Sequence, residues 1–362
     1  MYSSYELWTS LCKKLVRQWN EYCCVICKQP RPYRIPSIGS SPAVSTVAVG
    51  NRRFSSRDDE ARREQLSVLR EIVAAREIAH HCRSNNYVYS QLQDLGNNYG
   101  VDLDKLSFVQ RLFLENRYIF EAIAKHIRVP DLLLEVQVCP TMDLLTTTYK
   151  TNTDGQVLKH LAEYLLSTEY YNRPRIFTDA SKSSDGRCGI GVFDEQSGTR
   201  IMMQLKLGTS ISTAETLAIQ VAMQHIDKRG IQNAVLLTDS QPVCLFLKKS
   251  RNSRMRNSVA NDILEKAKRN RTTIQWIPGH VQVDGNETAD GLARQALSAE
   301  FVMENDIFVH DAISYFEERQ ASKINSWYQD YVRQKGKTLK QLIESDSEEE
   351  DPYWFAEENY TQ

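Results

Sequence analysis

No stretch of the 362-residue chain is apolar over the roughly 20 residues that a membrane-spanning helix needs. The opening "MYSSYELWTSLCKKLVRQW" has no apolar signal core and carries charge throughout. These absences predict an intracellular protein, nuclear or cytoplasmic, with no membrane partner. The chain has 8 cysteines, but they lie far apart and mostly inside apolar patterns. Reduced thiols are therefore expected rather than a disulfide framework. A single CxxC runs from Cys24 to Cys27 with no second copy, and its spacing to His80, His81 and Cys82 fits no standard zinc pattern. Structural cysteines are the favoured reading. No internal repeat is present.

Net charge is almost absent too, at −1, but the balance is uneven. Lys/Arg against Asp/Glu is 21 to 19 over residues 1–169, 18 to 13 over 170–300 and 6 to 14 over 301–362. A basic middle and an acidic end hint at nucleic acid in the middle. The length is too great for one ordinary domain and suits two. Hydrophobic residues at 41% and charged residues at 25% suffice for a globular core.

Composition divides the chain. Residues 1–57 read as an irregular segment with a short helix, rich in Pro and Ser after residue 28. Residues 58–169 read as helical. Leu66, Leu69, Ile72 and Val73 recur on one face, and a second stripe over 104–127 carries Phe108, Leu112, Ile119 and Ile123. Residues 170–300 read as an α/β domain, 301–343 as a helical extension, and 344–362, with "ESDSEEEDPYW", as an acidic tail.

Within 170–300 the predicted order is β-β-β-α-β-α-α-β-α. "RIFTDAS", "RCGIGVF" and "RIMMQLKL" form a meander, and "NAVLLTDS" and "TTIQWIP" add in parallel after helices. The expected fold is a mixed five-stranded sheet flanked by helices. Ser212 or Thr213 can cap the helix "STAETLAIQVAMQHIDKRG", and Gly230 stops it. Trp276, Met202 and Met203 read as core, and His225 as structural.

Four acids occupy special places in this order. Asp179 and Asp239 follow apolar strands with the same "TD-[AS]" ending, Glu215 lies early in a helix, and Asp290 lies in the last one. A lone strand-end Asp is usually a turn residue. Four acids so placed are harder to dismiss, because packed together they repel and raise one another's pKa. A divalent cation relieves that repulsion, and hard oxygen ligands suit Mg²⁺. Two such ions about 4 Å apart serve phosphoryl chemistry.

"IFTDAS…GIGV", "TAETLAI", "LLTDSQ" and "WIPGHVQVDGNETADGLAR" together resemble the type 1 ribonuclease H domain, over roughly residues 172–299. Four separated motifs in the right order make the resemblance specific. It implies a ribonuclease H-like fold and cleavage of the RNA strand of RNA–DNA hybrids, giving 5′-phosphate ends. It also implies two Mg²⁺ ions, with Mn²⁺ as a substitute. The family's quartet carries over to Asp179, Glu215, Asp239 and Asp290, and its mobile-loop histidine to His280. By the same resemblance Asp179 and Asp290 hold one ion, and Asp179, Glu215 and Asp239 the other. Ala180 stands where relatives often have glycine. The wording is closest to the ribonuclease H domains of non-LTR retrotransposon polyproteins. No aromatic-x-Asp-Asp polymerase motif accompanies it, and residues 58–169 resemble at most a reverse transcriptase thumb or connection remnant.

Ser212 and Gln241 match positions that approach substrate in relatives, against helix capping as the plain alternative for Ser212. Lys248, Lys249, Arg251 and Arg254 sit in "KKSRNSRMRNS", and "KAKRNR" follows. Charge runs usually form solvated faces, but phosphate contacts need such groups, and these flank the helix where relatives carry a basic handle. The expected partner is an RNA–DNA hybrid bound by a monomer. The rival of another class is a catalytically silent hybrid-binding or scaffold protein derived from a mobile element.

Overall fold

The computed structural model describes residues 56–97, 103–142 and 154–335. In chain order these form α1 (Ser56–Ser84), α2 (Tyr87–Asn97), α3 (Phe108–Glu115), α4 (Arg117–Glu121), β1 (His126–Arg128), β2 (Val138–Cys139) and α5 (Gly155–Thr168). There follow β3 (Arg175–Lys182), β4 (Cys188–Asp194), β5 (Thr199–Leu205), α6 (Ile211–Arg229), β6 (Val235–Thr238), α7 (Gln241–Arg251), β7 (Met255–Asn257) and α8 (Ser258–Asn270). The last are β8 (Thr273–Trp276), α9 (Asp284–Ala296), β9 (Val302–Met303) and α10 (Val309–Lys335). Residues 74–318 make one compact unit. Of the other unit, residues 56–73 and 319–335 are described, and there Lys323 meets Glu71 at 3.2 Å.

The main sheet runs β2-β8-β6-β3-β4-β5-β9. Its five central strands are those expected: β3, β4 and β5 form the antiparallel meander, and β6 and β8 lie parallel to β3. The expected five-stranded sheet is thus a seven-stranded one, extended by a two-residue strand at each edge. Every residue of β6 and β8 is buried. Strands covered on both faces read as continuous apolar runs, which is why "AVLLT" shows no alternation. On α6, Ala214, Ala218 and Ala222 are fully buried and let the helix lie close to the sheet. Gly230 ends α6 in the left-handed conformation, as expected.

The core crosses the boundary that composition places at 170. Leu133, Val136, Val138, Ala162, Leu165 and Tyr170 share one cluster with the sheet. The physical reason is the open edge of β8. The Ile274 N–H donates to the Gln137 carbonyl at 2.9 Å, and Tyr170 donates to Gln275 Oε1 at 2.7 Å. Pairing of this kind removes an exposed strand edge. A second cluster joins α1, α2, α3, α4 and the start of α10, with Phe120 stacked between Phe113 (5.8 Å) and Phe316 (5.3 Å).

Several local expectations change. The stripe over 104–127 is not one helix. Ser107 and Gln110 form a capping box that starts α3, Asn116 breaks the helix with its amide donating to the Leu112 carbonyl (2.9 Å), and His126 opens a strand. Ser210, not Ser212 or Thr213, caps α6: its backbone is extended and its hydroxyl accepts the Thr213 N–H. Met202 is exposed rather than core, because β5 alternates and only Met203 packs inward. His225 is structural as read, held by Asp194 at 2.9 Å. Cys82 is buried and free, while Cys24, Cys27, most of residues 1–57 and the tail 344–362 lie outside the described residues. Among the described residues no helix is long and apolar enough to cross a membrane.

Candidate active site

Two parallel strands bring the first two acids together. Thr178 of β3 pairs with Thr238 of β6, so Asp179 and Asp239 each stand one residue beyond a shared register position. The buried threonines hold this end of the sheet: Thr178 donates to the Leu237 carbonyl, and Thr238 Oγ1 accepts the Ser240 N–H at 3.2 Å. Trp276, at the end of β8, donates its indole N–H to the Asp239 carbonyl at 3.0 Å. It was read as core and is buried, but a buried indole N–H also needs a partner, and that need is legible in a sequence.

Glu215 comes from the sheet-facing side of α6, just past its first turn. Carboxylate oxygens of Asp179, Glu215 and Asp239 all lie within 4.8 Å of one another. Asp290 comes from α9, which is seated directly on β4. Gly191 is paired with Asp179 across the strands, and a Cβ there would meet the Ala289 carbonyl at 2.1 Å. The glycine beside Asp179 therefore admits the helix that carries Asp290. Arg294 pairs with Asp290 one helical turn on. That partner went unnoticed in the sequence, although the Asp-to-Arg spacing of four residues is a legible signal.

Burial and like charge act together on Asp179 and Glu215. Burial, then the charges of Asp239 and Asp290, push Asp179 up to about 7, against the lowering effect of the Ala180 N–H bonded to it at 2.8 Å. Burial and the charges of Asp179 and Asp239 push Glu215 well above the usual carboxylate range. Glu215 Oε2 is buried with no hydrogen-bond partner. No ion pair among the described residues reaches Asp179 or Glu215. Three converging hard oxygen donors, one of them an orphan, fit a divalent cation of the Mg²⁺ kind.

His280 lies on the loop between β8 and α9 and is exposed. His280 and Gln282 both have left-handed backbone (φ 60° and 63°), rare outside glycine and tied here to a tight turn. Gly279 lets this loop approach Asp239, since a Cβ would fall 2.0 Å from its Oδ2. That contact was not foreseen, because it joins residues forty apart.

The remaining candidates are scattered around this centre. Ser212 is exposed on the first turn of α6. Gln241 donates to the Pro140 carbonyl at 3.0 Å. Lys248, Lys249 and Arg254 are exposed, and their side chains form no ion pair among the described residues. Arg251 is half-buried and donates to the Val136 carbonyl at 2.8 Å. Of the second basic run, Lys266, Lys268 and Arg269 pair with Asp262, Glu135 and Asp227.

Residues 172–298 match the RNase H family. No curated protein matches the chain. The matched RNase H span contains all four acids and the His280 loop. It covers about a third of the chain and leaves out β2, α5, β9 and α10.

Proposed function

We propose that the chain is a divalent-metal-dependent endoribonuclease that hydrolyses the RNA strand of RNA–DNA hybrids. The observation that carries this reading is the convergence of Asp179, Glu215 and Asp239 inside the RNase H span, with Glu215 Oε2 buried and without a hydrogen-bond partner. Asp179, Glu215 and Asp239 would hold one Mg²⁺, and Asp179 and Asp290 a second. Bound there, the ions supply a nucleophile at neutral pH and stabilise the departing oxygen.

The chain's own residues supply the rest. Burial and neighbouring carboxylates raise both Asp179 and Glu215 above the usual carboxylate range, and a bound cation would offset that effect. Trp276 fixes the Asp239 backbone, and Gly279 sets the His280 loop against the Asp239 carboxylate. His280 is free in solvent to carry a proton or to ease product away from the site. Ser212 and Gln241 approach the hybrid beside the acids. Lys248, Lys249 and Arg254 take its phosphates, and Arg251 contributes mainly by holding the segment at Val136. RNA is read through its 2′-hydroxyls and groove shape rather than its sequence. The motif wording supports descent from a non-LTR retrotransposon polyprotein.

The test is cleavage of a labelled RNA–DNA hybrid with and without Mg²⁺, by wild type and Asp239→Asn. The substitution keeps shape and removes one ligand charge. The expected loss is at least ~10²-fold with folding intact. Binding without cleavage under any divalent ion would instead favour the silent, hybrid-binding protein.

A further inference from the structure

The segment Val302–Asp311 lies beyond the matched span, which ends at 298, yet it grips the connection leading into α6. β9 pairs with the end of β5, Leu205 opposite Met303. The next residue, Lys206, donates its backbone N–H to Asn305 Oδ1 at 2.9 Å and pairs its ammonium with Glu304. Asp311 completes the grip. Its side chain is wholly buried. It accepts the Ser210 N–H at 3.0 Å, the Thr213 hydroxyl at 2.7 Å and the Phe308 N–H at 2.6 Å. His310 Nε2 lies 2.9 Å from Ser210 Oγ.

One buried carboxylate thus serves two helix starts, its own α10 and α6. Helix N-termini present unpaired N–H groups and partial positive charge, which an acid satisfies. On α6 the bonds fall on the capping residue and on Thr213, two residues before Glu215. Glu215 Oε2 is buried with no hydrogen-bond partner, and the carboxylate reaches the Ala180 N–H and Asp179 from the helix that bears it.

We propose that Asp311 is a positioning residue for Glu215. It locks the first turn of α6 and with it the point from which the Glu215 carboxylate reaches Asp179 and Asp239. This rests on reading the cluster as a divalent-metal site. The C-terminal extension is then part of the catalytic apparatus rather than an appendage.

The experiment is calorimetric titration of the full chain with Mg²⁺ in the absence of nucleic acid, for wild type, Asp311→Asn and Thr213→Val. Thermal unfolding in EDTA and hybrid cleavage across Mg²⁺ concentrations accompany it. Asp311→Asn should weaken Mg²⁺ about tenfold, at the lower end of what loss of a ligand-orienting partner produces. Thr213→Val alters no charge and should shift the constant the same way by less. Cleavage should recover at saturating Mg²⁺. A lowered unfolding temperature with unchanged Mg²⁺ affinity would mean a merely structural role and overturn the inference. If Asp311→Asn does not fold, Thr213→Val decides by the same criterion. Wild type that takes up no Mg²⁺ overturns the metal reading and this inference together.

Discussion

Gly191→Ala tests whether α9 is seated on the sheet as described and whether that seat matters for chemistry. The new Cβ would lie 2.1 Å from the Ala289 carbonyl, 2.7 Å from the Ala293 nitrogen and 2.9 Å from Leu292 Cβ. Ordinary contact begins at 3.4 Å, and two of these atoms belong to the helix backbone, which cannot rotate aside. The helix must therefore lift by about 1 Å, an overpacking that destabilises by about 1–3 kcal/mol. For a unit of this size each kcal/mol lowers the unfolding temperature by roughly 2–4 °C. Asp290 follows Ala289 directly and moves with it. A misplacement of about 1 Å costs about 10²-fold in rate. The loss of activity, about 2.7 kcal/mol of barrier, should thus match the loss of stability in size and persist in the folded protein. The assay is the hybrid cleavage rate per folded molecule at saturating Mg²⁺, with thermal unfolding in the same buffer. Gly291→Ala is the control: it adjoins Asp290 on the same helix, and its Cβ would meet nothing within 4 Å. It should leave the rate unchanged and be neutral or stabilising by up to about 1 kcal/mol. A Gly191→Ala protein with wild-type rate and unfolding temperature would refute the packing and the placement of Asp290 that depends on it.

Three further outcomes are expected. His280→Ala should slow turnover by about 10²-fold at most, as loss of an assisting acid–base group does; disappearance of single-turnover cleavage would show the histidine to be indispensable and contradict its role. In EDTA, stability should depend on pH in a direction set by Asp179, whose pKa rises from 3.8 to about 7 on folding. A raised folded pKa stabilises fully below about 4 and the gain is lost as pH rises through about 7. Urea unfolding across that window should show the fall in wild type and a flatter profile in Asp179→Asn or with Mg²⁺; a flat wild-type profile in EDTA contradicts the buried-acid geometry. Neutralising Lys248, Lys249 and Arg254 in the Asp239→Asn background should flatten the salt dependence of hybrid affinity by about one unit of slope per lost phosphate contact; an unchanged slope would leave these residues as a solvated face.

Much of the candidate site was legible because its signals are local. Asp179 and Asp239 announce themselves by ending apolar strands, and strand pairing in parallel brings such ends side by side. Glu215 and Asp290 were legible from their places early in helices and from the motifs around them; that they lie on buried faces appears only in the structure. The element order of residues 175–296 follows from periodicity and turn residues except for β7, a three-residue strand that forms only by pairing with the distant β1. The cap of α6 was misplaced by two or three residues because Ser210, Ser212 and Thr213 are equal candidates locally. Only the arrival of Asp311 at the Ser210 N–H, 101 residues away, distinguishes them.

What the sequence by itself determined is therefore the set of candidates: four carboxylates, a loop histidine and the strands and helices that bear them. Patterns of two and 3.6 residues, and the chemical character of side chains, are properties of a short window. Tertiary structure alone decided which distant segments complete the unit. β2 closes the edge of β8 from before the matched span, and β9 with Asp311 clamps α6 from after it. It also decided which basic residues remain available. Arg251 turns inward to Val136, whereas Lys248 and Lys249 stay in solvent. Two-residue strands and single buried hydrogen bonds carry no periodicity. They form only once the sheet exists and leaves an unpaired edge or an uncapped helix for a remote residue to satisfy.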